Sequence, residues 1–333
     1  MQLVYSFIIP VYNRPDEVEE LLYSFSKMET TIPSEIVIIE DGSTILCEAV
    51  CKRFAKELNI SYYFKENSGP GDSRNYGMRK AKGNYFIILD SDCILPTHYL
   101  DTVDSFLQEN YVDCYGGADA AHASFTSLQK AINYTMTSFF TTGGIRGSKK
   151  SVSKFEPRSF NMGISKKVFE VTGGYSKIHP GEDPDLSHRI LKSGFNTSFL
   201  PDAYVYHKRR ISWDKFYQQV RKFGLVRPIL SSWHPEAAKI TFWLPTLFVL
   251  FVLSSLFMGL VVNMVFLLPL LAYLCLLFTD SLLKNKSVKV AVLSVAAVFV
   301  QFFGYGVAFF KSTYFIRFLG RDPKKQFPFL FFK

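Results

Sequence analysis

Tyr85-Phe86-Ile87-Ile88-Leu89-Asp90-Ser91-Asp92 decides the fold. Five apolar or aromatic residues in a row read as a strand buried on both faces, as in the middle of a parallel sheet. The run ends on two carboxylates one residue apart, and Pro96 soon breaks the pattern. In open α/β sheets ligands sit at the carboxyl ends of the strands. Side chains at i and i+2 of an extended segment share a face, so Asp90 and Asp92 can converge on one hard cation. A cation held by few carboxylates completes its shell with substrate phosphates. A lone Asp-x-Asp also reads as a solvated acidic turn, so the neighbouring sequence carries the decision.

Upstream, residues 3–9 lack a basic leader, are short and run into Pro10, which makes them a first strand rather than a signal peptide. Pro15, Asp16 and Glu17 open a helix whose Val18, Leu21, Leu22 and Phe25 fall on one face. A buried strand over 35–39 ends in Glu40-Asp41-Gly42-Ser43, and a helix to about Leu58 precedes a strand over 60–64. Residues 67–72 form a Gly/Pro turn and 73–82 a short basic helix. Alternating strands and helices predict a doubly wound parallel sheet. Three strands end in polar clusters on one edge, and that edge is the binding face.

Downstream the pattern loosens. Helices are expected over 97–108 and 126–140, strands over 112–115 and 160–164, and a Gly/Ser/Lys-rich loop or lid over 141–155. Gly181-Glu182-Asp183-Pro184-Asp185-Leu186 opens another helix. Short strands near 195–200 and 203–206 lead to His207, and the basic, aromatic helix over 211–223 suits a membrane surface.

Of the 333 residues, 48% are apolar and 33 are Phe, but the excess is concentrated beyond Trp243, where charges almost vanish. Three runs, about 243–260, 265–283 and 290–310, each approach the ~20 residues that span a bilayer. Lys284, Lys286 and Lys289 mark the side between the second and third as cytoplasmic. Three crossings would then export Lys311, Arg317, Arg321, Lys324, Lys325 and Lys333, so either the tail crosses or the third run is re-entrant or interfacial. The net charge of +9 gathers near these runs, which fits anionic lipid headgroups and not nucleic acid. Five cysteines show neither zinc spacing nor a disulfide framework and read as reduced thiols. The expected organisation is a catalytic domain over 1–225, an interfacial linker over 226–242 and a membrane region over 243–333.

Several clusters together resemble the family 2 glycosyltransferases of GT-A fold. They are Ile8-Ile9-Pro10-Val11-Tyr12-Asn13, Ile38-Ile39-Glu40-Asp41-Gly42-Ser43, the stretch from Asn67 to Gly77, Asp90-Ser91-Asp92, and Gly181 to Leu186. They follow the family's order over roughly residues 1–225. The resemblance implies an α/β, Rossmann-like, mostly parallel GT-A domain followed by transmembrane helices. It implies Pro10 and Tyr12 beside the nucleotide base, with Asp41 accepting a base N–H. Glu40 stands where the family usually has Asp, Arg74 would reach the nucleotide, and Asp90 would lie near the ribose or metal. Asp92 would ligate Mg2+ or Mn2+, with His207 completing the shell. Asp183 would be the general base, kept ionised by the helix dipole, with Glu182 in support. The implied enzyme is inverting and metal-dependent, moves a hexosyl or N-acetylhexosaminyl group from a nucleotide sugar, expected to be UDP-linked by family frequency, and sits on a bacterial-type inner membrane with its catalytic domain in the cytoplasm. A lipid-linked saccharide is the expected acceptor.

Other classes fit less well. Gln218-Gln219-Val220-Arg221-Lys222 is similar to the Gln-x-x-Arg-Trp motif of processive synthases, but Lys222 replaces the Trp. A sugar-nucleotide pyrophosphorylase or a dinucleotide dehydrogenase would need a Gly-rich loop after the first strand, where Pro10 to Pro15 stands instead. A non-catalytic membrane scaffold leaves the acid clusters unexplained.

Overall fold

The computed structural model describes residues 2–120, 125–142, 156–207 and 212–332. Among the described residues eight strands form one mixed sheet: β1 (Tyr5–Val11), β2 (Ser34–Asp41), β3 (Ile60–Lys65), β4 (Tyr85–Leu89), β5 (Cys93–Ile94), β6 (Cys114–Ala120), β7 (Asn161–Ser165) and β8 (Thr197–His207). Their order is β3-β2-β1-β4-β7-β6-β8-β5. The first four run parallel, β7 lies antiparallel to β4 and β6, and β8 is parallel to β6. This is the mostly parallel GT-A architecture that the resemblance implied, with an antiparallel strand at β7 breaking the doubly wound pattern that the alternation predicted.

All five residues of β4 are buried, as the continuous apolar run demands. The two-residue period divides the core. Phe7, Ile9, Ile87 and Leu89 pack on one side with α1 (Pro15–Ser26), α2 (Glu48–Phe54) and α4 (Tyr99–Glu109). Ile8, Phe86 and Ile88 face the other side, with Met78 of α3 (Pro70–Lys80), Val168 of α7 (Lys166–Thr172), and Leu186 and Ile190 of α8 (Glu182–Lys192). Helix α3 begins inside the expected 67–72 turn, because Gly69 at φ +91° turns the chain and Pro70 suits a first helical position.

The two strands expected after Phe195 are one strand, β8. Its pairing with β6 jumps from Gly117↔Leu200 to Asp119↔Val205, leaving Pro201, which has no N–H to donate, in the gap. The expected 141–155 loop lies largely outside the described residues, while α5 (Ser127–Thr137) and α6 (Phe139–Thr142) cover the 126–140 helix.

By internal contacts the chain divides into two compact units. The first comprises Met1–His122, Val152–Lys208 and Phe331–Lys333, and holds the sheet. The second comprises Ala123–Ser151 and Arg209–Leu330. It contains α5, α6, α9 (Trp213–Trp233), α10 (Leu244–Val261), α11 (Leu268–Asn285) and α12 (Val288–Thr313). Three of its helical stretches, Ile240–Val261, Met264–Asn285 and Val288–Phe318, are long and apolar enough to cross a membrane. All five cysteines are free.

Candidate active site

The carboxyl ends of β1, β2 and β4 and the first turn of α8 carry the polar residues of the sheet unit. At the β1 edge Tyr12 is exposed, two residues after the half-buried Pro10. Asn13 stitches this edge to β2: its N–H donates to Ser43 Oγ (2.7 Å), and its Oδ1 accepts from the N–H groups of Thr44 and Ile45.

At the end of β2 the two acids divide the work. Asp41 accepts from Ser68 N and Gly69 N, both at 3.0 Å, and from Lys65 Nζ at 2.6 Å. It therefore fixes the loop that leads into α3. Glu40 has no exposed surface. Its carboxylate accepts from Ser43 Oγ, from Cys47 N at 2.8 Å and from Tyr62 OH at 3.2 Å. That places Glu40 beneath the edge as a brace.

Arg74, expected to reach the nucleotide, stands at the centre of the cluster. It is almost fully buried on α3 and lies between two acids, with Nη2 2.7 Å from Asp90 Oδ1 and Nη1 3.1 Å from Glu182 Oε1. Its guanidinium also covers the Tyr175 ring at 5.2 Å. Burial alone would lower the Arg74 pKa, but Asp90 and Glu182 outweigh it and hold the cation. Beside it, Asn75 Nδ2 donates to Tyr175 O and Tyr175 N donates to Asn75 Oδ1, both at 2.8 Å, locking α3 to the loop that enters α8. One guanidinium thus joins the β4 edge to the first turn of α8.

Glu182 also meets His179 Nδ1 at 3.0 Å. Burial pushes the Glu182 carboxyl up, but His179 and Arg74 prevail and lower it to about 2. Asp183 behaves oppositely: burial first, then the adjacent Glu182 charge, pushes its carboxyl above the usual Asp range, against the pull of Arg74 and Arg158. Ser159 N lies 3.5 Å from Asp183 Oδ2.

Asp92 is paired with Arg14, Nη1 to Oδ2 at 2.6 Å. Cys93 pairs in register with His207, so the backbone of His207 lies beside the Asp90–Asp92 segment. Among the described residues no three His, Cys, Asp or Glu side chains form a ready ligand cluster. Asp90 and Asp92 nevertheless offer the hard oxygens that Mg2+ or Mn2+ takes when one or two carboxylates share the ion with substrate phosphates. Both acids already draw a cationic partner, so the donor set fits such an ion. Sequence reasoning did not single out Arg14, Lys65 or His179; each pairs with an acid distant in the chain or a few residues on, and pairing of that kind leaves no local pattern.

A profile described as glycosyl transferase family 2 matches residues 6–172. The chain belongs to glycosyl transferase family 2. An uncharacterised glycosyltransferase of Rickettsia bellii is 36% identical over 105 residues, 32% of this chain and 15% of that protein. The poly(ribitol-phosphate) beta-N-acetylglucosaminyltransferase TarS of Staphylococcus aureus is 29% identical over 112 residues, 33% of this chain and 20% of TarS. The chain therefore spans only a small part of the length of these relatives. Among solved structures, a mannosyltransferase from Pyrobaculum calidifontis in complex with GDP-Man and Mn2+ aligns with a TM-score of 0.57 at 15% identity, covering 93% of this chain and 87% of that one. That likeness shows the fold alone.

Proposed function

We propose that the protein transfers a sugar from a nucleotide sugar to an acceptor hydroxyl with inversion, and that Asp183 is the general base. The observation that carries this reading is Arg74 bridging Asp90 and Glu182, which brings the β4 acids and Asp183 into one cluster. Asp183 takes the proton of the acceptor hydroxyl as that oxygen forms a bond to C1 of the sugar. The bond from C1 to the diphosphate breaks on the opposite face, and the nucleoside diphosphate departs. A carboxyl raised by burial and by Glu182 holds a proton more strongly than a free Asp, which suits a base.

Asp90 and Asp92, with His207, would hold a divalent ion, Mg2+ or Mn2+, which when bound neutralises charge on the leaving diphosphate. Pro10 and Tyr12 flank the base, and Asp41 serves through the Ser68–Gly69 loop it orders. Glu182 orients the cluster through Arg74 and His179. A UDP-linked hexose or N-acetylhexosamine is the proposed donor; TarS, named an N-acetylglucosaminyltransferase, supports that class. The proposed acceptor is a lipid-linked saccharide, supported by the apolar helices that follow the sheet unit. A Bacillus subtilis relative named minor teichoic acid biosynthesis protein GgaB fits a role in cell-surface polymers.

The test is turnover across a panel of nucleotide sugars with Mn2+ or Mg2+, comparing the natural chain with Asp183→Asn. Loss of a general base is expected to lower transfer by about 10²–10⁴-fold. Near-normal transfer by the variant would refute the assignment of Asp183.

A further inference from the structure

The segment Arg209–Leu330 leaves the sheet unit and returns to it. Phe332 N donates to Lys177 O at 3.0 Å, and Phe331 bridges antiparallel to Ile178. The Phe332 ring also lies against Gly69, whose added Cβ would stand 2.2 Å from it. A chain that departs from one water-facing unit and rejoins it has crossed a bilayer an even number of times. Three crossings are incompatible with these contacts.

The neighbours of each helix decide which one stays out. Helices α10 and α11 form a hairpin with no charged residue between Lys239 and Asp280, and only 28% and 17% of their apolar windows are buried in the protein. They turn their side chains outward, as lipid-facing helices do. For α12 the share is 44%. It is flanked along its length by α9: Phe216 and Val220 cluster with Ala297, Gly304 accommodates Tyr217 and Val220, Gly224 rests on the Tyr305 carbonyl, and Ser312 Oγ donates to Leu225 O at 2.6 Å. Helix α9 carries Asp214, Lys215, Arg221, Lys222 and Arg227. Charges at hydrocarbon depth are costly, so α9 cannot follow α12 through a bilayer.

We infer that the α10–α11 hairpin is the element that enters the membrane, and that α12 lies with α9 along the bilayer surface without crossing. The partner of the exposed Val292, Val307 and Phe310 on α12 is then the lipid interface. Lys311, Arg317, Arg321, Lys324 and Lys325 stay on the same side as Lys284, Lys286 and Lys289, as the bias of Lys and Arg toward one side requires. This topology does not depend on the identity of the donor or of the base.

The test uses the full chain with its exposed Cys275 changed to Ser and one reporter cysteine at a time, Lys56→Cys on the sheet unit or Lys324→Cys beyond α12. Each is treated with a membrane-impermeant maleimide in sealed vesicles of known orientation, after labelling in detergent has shown it to be reactive. Both reporters are expected to label in the same vesicle orientation and to the same fraction. Labelling of Lys324→Cys only in the opposite orientation overturns the inference, and so does its protection in both orientations, which would place the tail within the lipid.

Discussion

Arg74 Nη1 lies 3.1 Å from Glu182 Oε1, joining the middle of one helix to the first turn of another 108 residues along the chain. The same guanidinium holds Asp90 at 2.7 Å. The site is built around this shared cation. Replacing Arg74 with Ala takes the guanidinium from the buried Glu182 carboxylate and leaves it with His179, and breaking a buried pair in this way costs about 3–5 kcal/mol. Arg74→Ala is expected to unfold early in denaturant and to lose transfer, while Arg74→Lys recovers part of the stability, since one ammonium cannot replace a two-armed fork. Unchanged unfolding midpoints in Arg74→Ala would show the bridge to be dispensable.

The pH dependence follows from the two adjacent acids. Asp183 must be ionised to accept a proton, and its carboxyl is raised from 3.8, so the acid limb of kcat/KM should lie above that value. Glu182→Gln removes the like charge and is expected to move the limb to lower pH. Stability behaves with opposite signs. Glu182 falls from 4.5 to about 2 on folding, so its contribution is full above 4.5 and disappears as pH drops toward 2. Asp183, being raised, opposes folding once pH climbs through its folded-state value. Rate profiles and denaturation curves across pH separate the two; a limb that stays put in Glu182→Gln removes the coupling.

Gly69 donates its N–H to Asp41 at φ +91°, directly beneath the Phe332 ring. Gly69→Ala brings backbone strain of about 1–2 kcal/mol together with a clash. Pairing it with Phe332→Ala should relieve the clash and leave the strain. Thermal melts of both single variants and the double variant measure this; strictly additive effects would mean that the ring and the glycine do not interact.

Asp92→Asn is expected to lower metal-stimulated transfer by two orders of magnitude or more, on the order of what a lost charge-stabilising contact costs. Chelation of divalent ions should lower the natural chain to the same level, and the variant should respond little to added Mn2+. Mn2+ titration of transfer rates reads both. A variant stimulated as fully as the natural chain would take Asp92 out of the metal site.

Much of this was legible locally. The apolar run over Tyr85–Leu89, the acids that follow it and the Pro/Gly signals before α1 and α3 are short-range patterns, and the structure keeps them. The division of labour between Glu40 and Asp41 was not legible. Neighbouring residues on a strand face opposite sides, and only the packing shows that Glu40 points to Ser43, Cys47 and Tyr62 while Asp41 holds the next loop.

Sequence by itself determined the α/β alternation, the family and the apolar composition of the last third, because periodicity and composition are properties of neighbouring residues. Tertiary structure alone decided that β7 runs against β4, that Arg74 serves two acids, and that residues 331–332 come back to Lys177 and Ile178. Those facts depend on which distant segments share a core or a charge. A linear pattern does not record such pairings, because burial and ion pairing act through space after the chain has closed on itself.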